Sequence, residues 1–125
     1  MSYTTQMDAA RQGIITPEMK AVAASEHIAE DELRELIALG QVIIPANKNH
    51  KCLKPNGIGS RLRTKINVNL GTSRDWTDLD MEMEKVKSAV DMGAEAIMDL
   101  SSCGDTQKFR RKLTSECPAT IGTVP

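Results

Sequence analysis

Apolar positions along the 125-residue chain fall into two regimes. In the first part they recur at helical spacing. Thr16-Pro17 reads as an N-cap followed by proline at the first helical position, and Met19, Val22 and Ala23 share one face of the helix that follows. AEDELRELIALG predicts a second helix. Glu30, Asp31 and Glu32 sit in its first turn, Leu33, Leu36 and Ile37 form its stripe, and Gly40 is the terminator. Residues 1–15 are polar and mixed. Between 41 and 64 the pattern breaks: two Pro, two Gly and three Asn follow the short run Val42-Ile43-Ile44, predicting loops with one short strand.

From Lys65 the period switches. KINVNL alternates, with Ile66, Val68 and Leu70 on one face and Lys65, Asn67 and Asn69 on the other, as in a strand. Gly71-Thr72-Ser73 ends it. Thr77-x-x-Asp80 opens a helix carrying Leu79, Met83, Val86 and Val90 at helical spacing, closed by Gly93. AEAIMDLS reads as a short buried strand, Asp105-Thr106 as the cap of a helix bearing Phe109 and Leu113, and ATIGTV as a third strand after Pro118. Strand–helix–strand–helix–strand with short connections predicts right-handed parallel crossovers. The expected class is therefore α/β: a helical, irregular N-terminal region (1–63), then the first three βα units of an incomplete (β/α)8 barrel (64–125). A full barrel takes about 250 residues, so this stretch corresponds to its opening portion.

Composition sharpens the picture in two places. Aromatic residues make up only 2% of the chain, Tyr3, Trp76 and Phe109, so the core is thin and the stretch is expected not to be a complete folding unit. Sixteen basic residues against seventeen acidic ones give a net charge of −1, which offers no electrostatic handle for nucleic acid or an anionic membrane. No apolar run approaches transmembrane length, and MSYTTQMDAARQG lacks an apolar signal core. A cytoplasmic location is expected. Cys52, Cys103 and Cys117 are odd in number and widely spaced, and read as reduced thiols rather than a disulfide framework or a zinc site.

Candidate chemistry gathers at the strand ends, where parallel barrels place functional groups. Asn67 and Asn69 either meet a polar ligand or hydrogen-bond neighbouring loops. Asp99 and Ser101-Ser102 either serve a site or cap the next turn. Met98 reads as core packing. His50 is expected as a solvated loop side chain, because H-x-C matches no common metal spacing. Glu82, Glu84, Lys85 and Lys87 read as a solvated helix face. Gly57-x-Gly59 lacks the strand and third glycine of a dinucleotide loop. No nucleophile–base pair, P-loop or metal cluster emerges.

The strings TQMDAARQGIITPEM, QVIIPANKNH, KINVNLGTS, GAEAIMDLS and IGTVP, in that order, resemble the phosphomethylpyrimidine synthase family of thiamine biosynthesis. The resemblance covers that family's N-terminal region and the start of its barrel. It implies a radical S-adenosylmethionine lyase that rearranges aminoimidazole ribonucleotide into hydroxymethylpyrimidine phosphate, with the family homodimeric. It also implies a [4Fe-4S] cluster on a C-terminal CxxCxxxxC motif, S-adenosylmethionine and zinc, whose ligands lie past residue 125. By the same resemblance Asn69 and Met98 match substrate-contacting positions, which moves Met98 from core to site wall. No catalytic, metal-binding or cofactor-binding residue is assigned within the segment, which alone is expected to be inactive. Two other readings accompany this one. The segment is part of the paralogous 5-hydroxybenzimidazole synthase of anaerobic cobamide biosynthesis, which uses the same nucleotide, or it is a non-catalytic binding or partner chain.

Overall fold

A computed structural model describes residues 2–124, which form two compact units. The first comprises residues up to Ala46 together with Pro55–Thr64, and the second comprises Asn47–Lys54 and Lys65 onward.

The first unit holds α1 (Gln6–Arg11), α2 (Pro17–Glu26), α3 (Glu30–Ala38) and a two-stranded antiparallel ribbon of β1 (Val42–Ile43) and β2 (Ile58–Gly59). Helix α1 arises within the stretch read only as polar and mixed. Thr5 accepts from the Asp8 N–H as its N-cap, and the small, fully buried side chains of Ala9 and Ala10 let it pack closely against α3. Thr16 caps α2 by accepting from the Met19 N–H at 3.2 Å, and its hydroxyl donates to Gln6 Oε1 at 2.6 Å, which ties the two helix starts together. The acidic first turn of α3 faces the positive end of its dipole, and Gly40, at φ +74°, follows its last turn. Met19, Val22, Leu33, Ile37 and Val42 close the core.

The second unit is built on three parallel strands, β3 (Asn67–Leu70), β4 (Ala96–Asp99) and β5 (Thr120–Thr123), in that spatial order. Helix α4 (Leu79–Asp91) joins the first two strands and α5 (Thr106–Glu116) joins the last two. Asp78, one residue beyond the expected Thr77, caps α4 by accepting from the Asp80 and Met81 N–H groups, and Asp105 caps α5 through Lys108. Strand alternation sorts the sheet into two faces. Val68, Ile97 and Ile121 are register partners and pack with Val86, Ala89, Phe109 and Leu113, so both helices cover this one face. The chain is thus mixed α/β, with its largest sheet parallel.

Ile66 departs from the predicted alternation. It precedes β3 and is 59% exposed, while its carbonyl accepts from both the Glu95 and Ala96 N–H groups and so starts the ladder.

Candidate functional site

The other face of the sheet carries the polar positions of the KINVNL alternation. Register pairs Asn67 with Ala96 and Ala96 with Thr120, and pairs Asn69 with Met98 and Met98 with Gly122, so each set forms one row across the three strands. Asn69, Met98 and Gly122 are each one residue from the carboxyl end of their strand. In parallel α/β sheets that end is where ligands bind. Asn67 and Asn69 are exposed, and Met98 and Gly122 are half-buried.

The two asparagines bond each other rather than neighbouring loops: Asn67 Nδ2 donates to Asn69 Oδ1 at 2.9 Å. Met98 lies outside the apolar cluster beneath α4 and α5, on the asparagine face. Its thioether is held close to β5. A Cβ added at Gly122 would lie 2.9 Å from Met98 Cε and 3.0 Å from its sulfur, so the glycine leaves room for that side chain. In the row of Asn67, the Thr120 hydroxyl is buried without a hydrogen-bond partner among the described residues. A polar ligand or water would satisfy it.

The loops after β3 and β4 are stitched together at this edge. The Leu100 N–H donates to Leu70 O at 2.7 Å, Ser102 N–H to Thr72 O at 3.0 Å, and Thr72 N–H to Ser101 Oγ at 3.0 Å. Gly71, at φ +145°, passes so close to the second loop that a Cβ would sit 2.5 Å from the Ser101 nitrogen. Only glycine fits there.

Asp99 belongs to this scaffold. Fully buried, it accepts from the Ser101 N–H at 2.9 Å and from Arg110 Nε at 3.0 Å, so the turn-capping alternative is the one observed. Ser101 is likewise committed to the loop pairing.

Two expectations are overturned. Glu82 is not part of a solvated face: it is fully buried, accepts from the Gly71 N–H at 2.8 Å and from Lys85 Nζ at 2.6 Å. Its place was encoded, since Leu79, Glu82, Val86 and Ala89 follow one helical stripe. His50 is not solvated either. It is buried with Nε2 2.6 Å from Cys117 O at the end of α5, where the Lys54 N–H also donates to Pro118 O at 2.8 Å. The loop 47–54 thus satisfies carbonyls that the helix leaves open. Neither contact could be foreseen from local pattern, because residues 50 and 117 are 67 positions apart.

Residues 5–125 match the sequence profile of the radical SAM ThiC family. The chain belongs to that family. Over all of its 125 residues it is 63% identical to a phosphomethylpyrimidine synthase of Clostridioides difficile (strain 630). Identity is 64% to that of Alkaliphilus oremlandii (strain OhILAs) and 62% to that of Clostridium botulinum (strain 657 / Type Ba4). The chain spans 29% of the length of each of these relatives. The resemblance seen in the motif strings is therefore a family relationship covering a part of the relatives' length.

Radical SAM ThiC membership implies a [4Fe-4S] cluster and S-adenosylmethionine in the full-length proteins. The residues of this segment do not fit a cluster. Cys52 Sγ donates to the Thr114 and Cys117 carbonyls, Cys117 is buried at the end of α5, and Cys103 lies in the loop after β4. Among the described residues no three His, Cys, Asp or Glu side chains converge to hold a metal ion. No described helix is long and apolar enough to cross a membrane.

Proposed function

We propose that this segment is the substrate-binding opening of a phosphomethylpyrimidine synthase, with Asn69 and Met98 contacting aminoimidazole ribonucleotide. The observation that carries this reading is their register pairing at the carboxyl ends of β3 and β4, on the sheet face that α4 and α5 leave uncovered. Asn69 hydrogen-bonds the nucleotide, and Met98 packs against it. Asn69 supplies direction and Met98 a polarizable apolar wall.

The same placement supports the barrel reading. Crossovers of one hand that step one strand over in a constant direction put successive helices on one face, which becomes the outside when the sheet closes. In that reading residues 1–63 are a separate N-terminal region and residues 64–125 the first βα units of a (β/α)8 barrel. The asparagine face then points into the barrel.

The reaction is the rearrangement of aminoimidazole ribonucleotide to hydroxymethylpyrimidine phosphate in the cytoplasm, by a homodimer that engages neither nucleic acid nor membrane. When bound, the cluster and S-adenosylmethionine supply a radical, and zinc completes the family's cofactor set. The segment's own part is to bind and orient the nucleotide, so residues 1–125 alone turn over no substrate.

Aminoimidazole ribonucleotide binding to the complete protein, followed by calorimetry, tests this. Asn69→Ala and Met98→Ala each weaken binding by about tenfold or more, the loss expected for one ligand hydrogen bond or one buried apolar contact. Unchanged affinity in both variants would sink the assignment. Product analysis separates the pyrimidine from a benzimidazole.

A further inference from the structure

We propose that the groove between the open edge of β3 and the outer flank of α4 is the seat of the closing strand and helix of the complete protein. The inference rests on the barrel reading of this sheet and is independent of which residues meet the nucleotide.

Strand β3 pairs with β4 on one side, and no described strand lies on its other side. The Ile66 and Leu70 carbonyls accept from the Ala96 and Leu100 N–H groups on the β4 side. Successive residues of a strand turn their backbone groups to opposite edges, so the N–H and C=O of Asn67 and Asn69 face the open one.

Apolar surface continues past that edge. Met81, Lys85, Ser88 and Met92 recur at helical spacing along α4, apart from the stripe of Leu79, Glu82, Val86 and Ala89 that meets the sheet. With Ile66 and Val68 they line a groove of about 530 Å3. Ile66, Met81 and Met92 are exposed, Met92 to 85%. The one charge in the stripe is engaged elsewhere: Lys85 Nζ donates to Glu82 Oε1 at 2.6 Å, which leaves its aliphatic stem to line the groove.

An unpaired parallel edge beside a water-facing apolar helix flank is what an absent βα unit leaves uncovered. The rest of the sheet shows how such a unit sits: β4 pairs with β3 while Phe109 and Leu113 of α5 share the core with α4. One more unit on the far side repeats this. Its strand takes the Asn67 and Asn69 backbone groups, and its helix covers Met81 and Met92. The relatives have chain to supply it, since this one spans 29% of their length. A second copy docked on β3 would leave the β5 edge open, whereas closure by the same chain removes both edges at once.

Two substitutions in the complete protein test the seat. Met81 lies in the first turn of α4 and Met92 is its C-cap. The helix dipole favours an acid at the first place and a base at the second, so on a solvated helix Met81→Asp and Met92→Lys are neutral or stabilising. On the seat each puts a charge beneath the arriving helix, and each lowers the melting temperature by several degrees. A second measurement keeps the sequence intact and replaces methionine by photo-methionine, its nearly isosteric diazirine analogue. Photolysis joins position 92 to a segment of its own chain past residue 125. The backbone amides of Asn67 and Asn69 exchange orders of magnitude more slowly than free ones.

A melting temperature unchanged or raised in either variant overturns the seat. So does photolysis that leaves position 92 quenched by water, or joined to another chain, which gives the groove to a second copy. Slow exchange at Asn67 and Asn69 in those cases leaves the barrel reading standing, while free exchange there removes it and this proposal together. The nucleotide contacts are judged separately, by Asn69→Ala.

Discussion

Glu82 reaches from the first turns of α4 to the Gly71 N–H, eleven residues back in the chain, across 2.8 Å in a fully buried setting. The helix that follows β3 therefore holds the loop that leaves it, two residues after Asn69. Lys85 Nζ completes the arrangement from the next turn at 2.6 Å. A buried carboxylate persists only when its oxygens are engaged, and here both are.

Replacing Glu82 separates the charge from the acceptor. Glu82→Gln keeps an oxygen for the Gly71 N–H and loses only the half-exposed ion pair with Lys85, an expected cost of about 1 kcal/mol. Glu82→Ala strands a buried donor and opens a cavity, an expected cost of about 2–4 kcal/mol. Hydrogen exchange at the Gly71 amide is the direct check. Protection falls sharply in the Ala variant and modestly in the Gln variant, and equal protection in both would remove the role assigned to the bond.

Asp99 and Arg110 form the second buried link at the strand ends. The carboxylate is fully buried, and the Arg110 side chain, 30% exposed, also donates to Val124 O at 3.1 Å. Arg110→Met leaves the Asp99 charge with only the Ser101 N–H, and an expected loss of about 3 kcal/mol follows from an uncompensated buried charge. Asp99→Asn retains an acceptor for that N–H and costs less. In the double variant the losses are smaller than their sum, because the first substitution has already removed the partner. Urea unfolding of all three variants measures the coupling, and simple additivity would show that the pair is not a unit.

How much of this was legible in the sequence depends on the range of the interaction. Local periodicity located β3, β4, β5 and both of their helices, because each presents its own apolar stripe to the same core. The alternation of KINVNL also put Asn67 and Asn69 on the face away from that core. It could not show that Met98 would be the register partner of Asn69, since register is a property of two strands. The stripe of α4 marks the inward side of Glu82, but a carboxylate on a helix is ordinarily solvated, and only the fold brings the Gly71 N–H that makes its burial tolerable. His50 was misplaced for the same reason, its partner being the far end of α5. The short helix α1 escaped because two alanines carry almost no apolar signal, although in the fold they are its fully buried residues.

Gly122 sets how far Met98 stands from β5. Its φ is not in the left-handed region, so alanine is tolerated by the backbone, and the added methyl meets only the flexible end of Met98. Gly122→Ala therefore leaves stability within about 1 kcal/mol, since the side chain it displaces can change rotamer. It pushes the thioether along the row toward Asn69, into the space proposed for the nucleotide. Affinity for aminoimidazole ribonucleotide falls while the melting temperature holds. A variant that binds normally would show that the Met98 side chain does not wall the site.

Cys117 provides the pH test. Burial at the end of α5 pushes its thiol above the ordinary 9.0, and neighbouring Cys52 adds to the rise, although the Ala119 backbone hydrogen bond acts in the opposite direction. A folded-state value above the unfolded one means the unfolded chain ionises first. The contribution of Cys117 is then fully present below pH 9.0 and is lost as pH rises from there through the folded value. Two measurements follow. Alkylation at pH 8 modifies Cys103, which is half-exposed, well before Cys117. Stability of the second unit declines above pH 9, and Cys117→Ala flattens that decline even though the truncation lowers stability at neutral pH. An unchanged slope in the variant would place the alkaline transition on other groups.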